Sequence, residues 1–66
     1  MEFKDRLKEL RTLKNLSQMQ LSQKTGLSQS AIAKWELGKT EPTANAIICL
    51  AKFFEETSDY ILGLED

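Results

Sequence analysis

The stretch from Ser17 to Gly38, SQMQLSQKTGLSQSAIAKWELG, constrains the fold of this chain more than any other. It holds two helix-start signals and places a glycine between two short amphipathic runs. Ser17 precedes Gln20 at the spacing of a capping box, in which the hydroxyl accepts from a first-turn amide and the Gln side chain reaches back. Leu21 supplies the apolar anchor of a helix with room for about two turns before Gly26. A glycine there can take the left-handed conformation that closes a helix without a Cβ clash. Ser28 is the next N-cap, and from it Ala31, Ile32 and Trp35 fall on one face at helical spacing. Gly38 closes this second helix. The unit reads as helix, tight glycine turn, helix, with Leu21, Ile32 and Trp35 directed at a common core. Gln29, Ser30, Ala33 and Lys34 are left facing outward.

The flanking segments supply the rest of that core. Residues 3–14 read as a first helix with Phe3, Leu7, Leu10 and Leu13 or Lys14 inward, and Lys4, Arg6, Lys8 and Glu9 outward. Asn15 tolerates the left-handed position and ends it. Leu16, just before the Ser17 cap, is placed to staple against Leu21. Pro42 disfavours helix at Glu41, and Thr43 caps a helix over 44–54 with Ile47, Leu50, Ala51 and Phe54 on one face. Ile48 and Cys49 widen that stripe, the pattern of a helix buried on more than one side. After the polar Glu55–Thr57 connection, Ser58 reads as the cap of a brief last helix ending at Leu62-Gly63. Nothing alternates with the period of a strand. The expectation is an all-α bundle of about five short helices, one domain over residues 1–66, with a radius of gyration of about 11 Å.

Composition excludes several function classes. The chain has no histidine and a single cysteine, so a His/Cys metal site and an intramolecular disulfide are both ruled out. Cys49, among Ile47, Ile48, Leu50 and Ala51, reads as a small core hydrophobe. With no histidine, no glycine-rich phosphate loop and little room for a deep pocket, catalysis lacks its parts; neither an enzyme nor a cofactor is expected. No apolar run is long enough to span a bilayer, and the N-terminus does not read as a signal peptide, so a cytoplasmic protein without membrane contact is expected. The formal net charge of −1 hides an uneven distribution. Residues 1–54 carry all nine bases against five acids, a balance of +4, while residues 55–66 carry five acids and no base. Such a chain can turn a basic face to phosphates and an acidic end away from them.

A helix, a glycine turn and a second helix with a polar outer face is also the layout that places a recognition helix in the major groove. The stretch resembles the Cro/phage-repressor-type helix-turn-helix family of bacterial and phage regulators. The residues that carry the resemblance are Leu16-Ser17-Gln18, Leu21, Gly26-Leu27-Ser28, Ile32, Trp35-Glu36, Gly38-Lys39 and Pro42. It continues through Leu50-Ala51-Lys52 and Asp59-Tyr60-Ile61-Leu62-Gly63, so it covers nearly the whole chain. The fold it implies is the lambda-repressor-like DNA-binding domain. The resemblance also implies an ion pair between Arg11 and Glu36, tying the first helix to the end of the third. Two positions depart from the family: Leu37 stands where asparagine is common and touches the DNA backbone, and Ser22 where alanine is usual. The serine fits if its hydroxyl bonds to a carbonyl.

On this reading the helix over 28–37 lies in the major groove of double-stranded DNA. Gln29 can make a bidentate contact to adenine, Ser30 can meet either kind of base, Lys34 can reach guanine or a phosphate, and the Ala33 methyl can pack on a thymine methyl. Gln18 with the amides around it, Lys39 and Thr40 are the expected phosphate contacts. Trp35 lies on the Ile32 side and reads as core rather than as a stacking platform. A repressor is expected, bound as a homodimer to an inverted repeat with half-sites about one helical turn apart. Ile61, Leu62 and Leu64 are the apolar residues expected at the dimer contact. The alternative is an antitoxin or adaptor that uses the same helices to hold a protein partner, with DNA binding secondary.

Overall fold

The computed structural model describes residues 1–65 as five helices in sequence: α1 (Phe3–Leu13), α2 (Gln18–Thr25), α3 (Gln29–Glu36), α4 (Ala44–Phe54) and α5 (Ser58–Ile61). Among the described residues there is no strand. The Cα radius of gyration is 10.4 Å, close to that expected from length alone.

Hydroxyl side chains start four of these helices. Ser17, Ser28, Thr43 and Thr57 stand in extended backbone, and each accepts a hydrogen bond from the amide three residues on. At α2 the capping box is complete, because the Ser17 amide also donates to Gln20 Oε1 at 2.8 Å. The last cap is Thr57 and not Ser58, which is the first residue of α5. Serine is the somewhat better cap of the two, but the chain reaches Thr57 already extended (φ −72°, ψ 156°), and the Thr57 hydroxyl also donates to the Glu65 carboxylate.

The helix ends are as regular as the starts. Asn15, Gly38, Glu55 and Gly63 follow α1, α3, α4 and α5 at positive φ. At each of these ends two successive amides fold back on carbonyls of the preceding helical turn, the paired bonds that satisfy orphan acceptors. Gly26 closes α2 in the same left-handed region, with its amide on Ser22 O at 2.8 Å. Glu55 (φ 57°) is the one residue in this role that is neither glycine nor asparagine. Its Cβ strains a left-handed backbone by about 1–2 kcal/mol, part of which a glycine would return as entropy of the unfolded chain. Glu55→Gly should therefore raise stability by about 0.5–1 kcal/mol, a gain of several degrees in Tm for a domain of this size. A thermal melt with an unchanged or lower midpoint would refute that account.

Packing draws on all five helices. α1 packs on α3 and α5, α2 on α3 and α4, and α4 on α5. Leu7, Leu21, Ile32, Leu50 and Ile61 are fully enclosed. Each such side chain contributes about 1.5–3 kcal/mol by leaving water. Trp35 is in the core, meeting Phe3 edge to face with centroids 6.1 Å apart. Leu16 is half-buried against the cluster that contains Leu21.

Four expectations are corrected here. Leu13 is 73% exposed, because α1 gives its inward face to Leu7 and Leu10. Ile48 is 51% exposed and Cys49 only half-buried, so α4 is covered along one stripe (Ala46, Ile47, Leu50, Phe54) instead of on several sides. Arg6, expected in solvent, is 4% exposed. Its guanidinium lies 3.7 Å from the centre of the Tyr60 ring and donates to the Glu65 carbonyl at 3.1 Å. The segment after α4 folds back over α1, and a flat, delocalised cation is suited to stacking under an aromatic ring there. The same fold-back takes Ile61 to 1% exposure, so it is a core residue and not part of a surface available to a second copy.

Candidate nucleic-acid interface

The geometry between α2 and α3 is fixed by three residues, Gly26, Leu27 and Ser28. Thr25 donates to Leu21 O and accepts from the Leu27 amide. The Ser22 hydroxyl donates to the Leu27 carbonyl, so it bonds forward across the turn and ties α2 to the segment that launches α3. Leu27 itself packs on the core.

α3 then divides cleanly. Ile32 and Trp35 are buried, and Gln29, Ser30 and Lys34 are exposed with Ala33 half-exposed between them. These four outward residues thus lie on one continuous face, beginning at the first helical residue after the Ser28 cap. Just past the helix, the paired bonds from Gly38 N to Trp35 O (3.0 Å) and Lys39 N to Lys34 O (2.9 Å) set the course of the chain. Lys39 and Thr40 follow, both exposed. Lys4 joins this rim from α1: its Cδ and Nζ stand 3.2 and 3.7 Å from the position a Cβ on Gly38 would take. Helical spacing within α1 places Lys4 outward but carries no sign of this neighbour, because the α1–α3 contact is long-range.

Behind the face sits a charged clamp. Arg11 Nε donates to Glu36 Oε2 at 2.7 Å and Nη2 to Oε1 at 2.8 Å, a two-pronged pair. Arg11 Nη1 also donates to Leu16 O at 2.8 Å, and Gln18 Nε2 donates to Glu36 Oε1 at 3.1 Å. One carboxylate therefore fastens the end of α1, the turn after it and the first residue of α2 to the last residue of α3. Burial pushes the Glu36 carboxyl up, but the hydrogen bonds from Arg11 and Gln18, with the charges of Arg11 and Lys8, outweigh it and hold the group below its ordinary range. The bond to Glu36 raises Arg11 further, against the opposing effect of burial.

Gln18 accordingly has its side-chain amide engaged with Glu36. The capping box occupies the amides of Ser17 and Gln20, and those of Gln18 and Met19 are the orphan donors of the first turn. An open cleft of about 580 Å³ adjoins the rim residues Lys4, Gly38 and Thr40 and runs between the N-terminus, Pro42 and Leu62–Leu64. Leu62 is half-buried there and Leu64 is 73% exposed. No described helix is long and apolar enough to cross a membrane.

Comparison with known proteins agrees with this arrangement. A family model described as helix-turn-helix matches residues 7–61. The HTH-type transcriptional activator BcrR of Enterococcus faecalis is 46% identical over 66 residues, all of this chain and 32% of its own length. The HTH-type transcriptional regulator AnsR of Bacillus subtilis is 39% identical over 61 residues, 92% of this chain and 53% of its own. An uncharacterised HTH-type transcriptional regulator of Methanocaldococcus jannaschii is 38% identical over 64 residues, 97% of both chains. The chain thus spans about a third of BcrR and about half of AnsR. A match over most of the residues, on a structure with the same helix-turn-helix, means that the chain belongs to the Cro/phage-repressor-type helix-turn-helix family.

Proposed function

We propose that this chain is a sequence-specific double-stranded DNA-binding regulator of transcription, with α3 in the major groove. One observation carries the reading: a rigidly held helix presents an uninterrupted outer face of Gln29, Ser30, Ala33 and Lys34, with Lys39 and Thr40 at its rim. Gln29, Ser30, Ala33 and Lys34 are the base-reading residues, and Lys39, Thr40 and the amides at the start of α2 hold phosphates. Gln18 acts mainly through its backbone, because its side chain is held by Glu36.

Two copies bind one inverted repeat. The domain measures 27 × 24 × 20 Å, and half-sites one turn apart lie about 34 Å centre to centre, so the copies meet only along a rim. Leu62 and Leu64 supply apolar surface for it, now without Ile61. Occupancy of a promoter then represses, whereas a site beside the promoter allows recruitment; BcrR is named an activator.

Selection from a random duplex pool at two salt concentrations tests the reading. An enriched inverted repeat is expected, with affinity falling by about 0.9 log units per log unit of salt for each phosphate neutralised. Binding that is unselective, or nearly indifferent to salt, would instead favour a protein-holding module. Sedimentation with and without the selected duplex tests the pairing, and a single copy per palindrome would overturn it.

A further inference from the structure

Six of the seven lysines are exposed, and Lys4 is half-buried. Its side chain crosses from α1 to the end of α3, where Cδ and Nζ stand 3.2 and 3.7 Å from the position a Cβ on Gly38 would take. A Cβ there would press on the stem, so Gly38 gives Lys4 its course as well as making the left-handed turn (φ 75°). Holding a lysine stem in place costs rotamer entropy, and no ion pair within the described residues offsets it. The ion pairs among them are Arg6–Glu9 and Arg11–Glu36. Glu2 and Glu41 line the cleft beside Lys4, but neither pairs with it.

What the ammonium does meet is a helix end. α3 turns the negative end of its dipole, equivalent to about half an elementary charge, toward Gly38. Lys39 and Thr40, read above as phosphate holders, begin there, and the open cleft that Lys4, Gly38 and Thr40 share leaves room beside them. A phosphate approaching that loop is repelled by the bare helix end, and a cation placed on the end removes the repulsion. Resting on the reading of α3 as the groove-bound helix, we propose that Lys4 is a phosphate contact. Its ammonium, guided over Gly38, joins Lys39 and Thr40 on the DNA backbone, so that α1 is part of the interface.

Lys4→Met keeps an unbranched stem and removes the charge, whereas Lys4→Arg keeps the charge. Their binding to the site recovered by selection, with that of the wild type and Lys39→Ala, is measured by fluorescence anisotropy from about 50 to 200 mM salt. Each phosphate neutralised contributes about 0.9 to the log–log slope, so across that range the wild type should lose about 3.5-fold more affinity than Lys4→Met. Lys4→Arg should keep the wild-type slope. Replacing phosphates one at a time by uncharged methylphosphonates then locates the contact. One replacement should weaken the wild type and leave Lys4→Met unaffected, at or next to the phosphate to which Lys39→Ala is likewise blind. This comparison is internal to each protein, so a change in stability does not mimic it. A Lys4→Met slope equal to that of the wild type, with the Lys39→Ala slope reduced, would overturn the proposal and leave the groove reading standing. So would the lack of any phosphate at which the wild type and Lys4→Met differ. A pool that yields no preferred sequence would overturn the groove reading itself, and this proposal with it.

Discussion

Glu36→Ala should lower the free energy of unfolding by about 3 kcal/mol, the lower end of what breaking a buried pair costs. The pair is well enclosed, with 12% and 5% of the Arg11 and Glu36 side chains exposed. Alanine would strand the Arg11 guanidinium beside the core and leave the Gln18 amide without its acceptor. A chain of this length has only about 3–10 kcal/mol in total, so the loss brings it near unfolding at ambient temperature. With a urea slope of about 1 kcal/mol per molar, the midpoint should drop by about 3 M. Replacing both partners with apolar residues of similar size, Arg11→Met with Glu36→Leu, should recover much of the loss, since no lone charge then remains. A single mutant within about 0.5 kcal/mol of wild type would mean that the pair behaves as an ordinary surface ion pair.

The same carboxylate sets a pH dependence whose direction follows from its environment. Glu36 is held below its ordinary range in the folded chain. Its contribution is therefore complete above the unfolded pKa of about 4.3, and it is lost as pH falls through the lower, folded value. The wild-type urea midpoint should fall more between pH 7 and pH 3 than that of Glu36→Gln, which has no proton to take up at this site. Equal falls would show that other carboxylates account for the acid sensitivity.

What could be read from sequence divides along the range of the interactions. Capping at Ser17, Ser28 and Thr43 and the left-handed closures at Asn15, Gly26 and Gly38 involve residues within one turn of each other, and their chemistry is local. Ile32 and Trp35 were equally legible, since a helix of eight residues between two caps has one inner face. Arg6 and Ile61 were not. Their burial depends on the segment after α4 returning over α1, a contact between residues more than fifty positions apart that no helical period encodes. Ile48 failed for a different reason: an apolar run in α4 reveals hydrophobicity but not how many neighbours will cover it. The outer face of α3 was visible as a pattern, while the nearness of Lys4 to Gly38 required the packed structure.

Gln29→Ala should produce the largest change in what the chain recognises. Gln29 is the first residue of α3 and is exposed, so truncating it removes no core contact and should leave the urea midpoint unchanged. A bidentate amide contact to adenine discriminates by about 1–3 kcal/mol, or about 5- to 150-fold. The mutant should lose that factor on the selected site but bind a duplex altered at that one base pair as the wild type does. Lys39→Ala makes the contrast. A phosphate contact carries no sequence information, so its loss should weaken binding to all duplexes alike and reduce the salt slope by about one. The two variants therefore separate reading from holding. If Gln29→Ala weakened every duplex equally and flattened the salt dependence, Gln29 would be a backbone contact and the reading register would begin at Ser30. If both variants bound as the wild type does, the duplex would have to lie on some face other than α3. The clamp through Glu36 would then position this helix for a protein partner, and the salt-insensitive binding expected of such a partner could be measured on the same proteins.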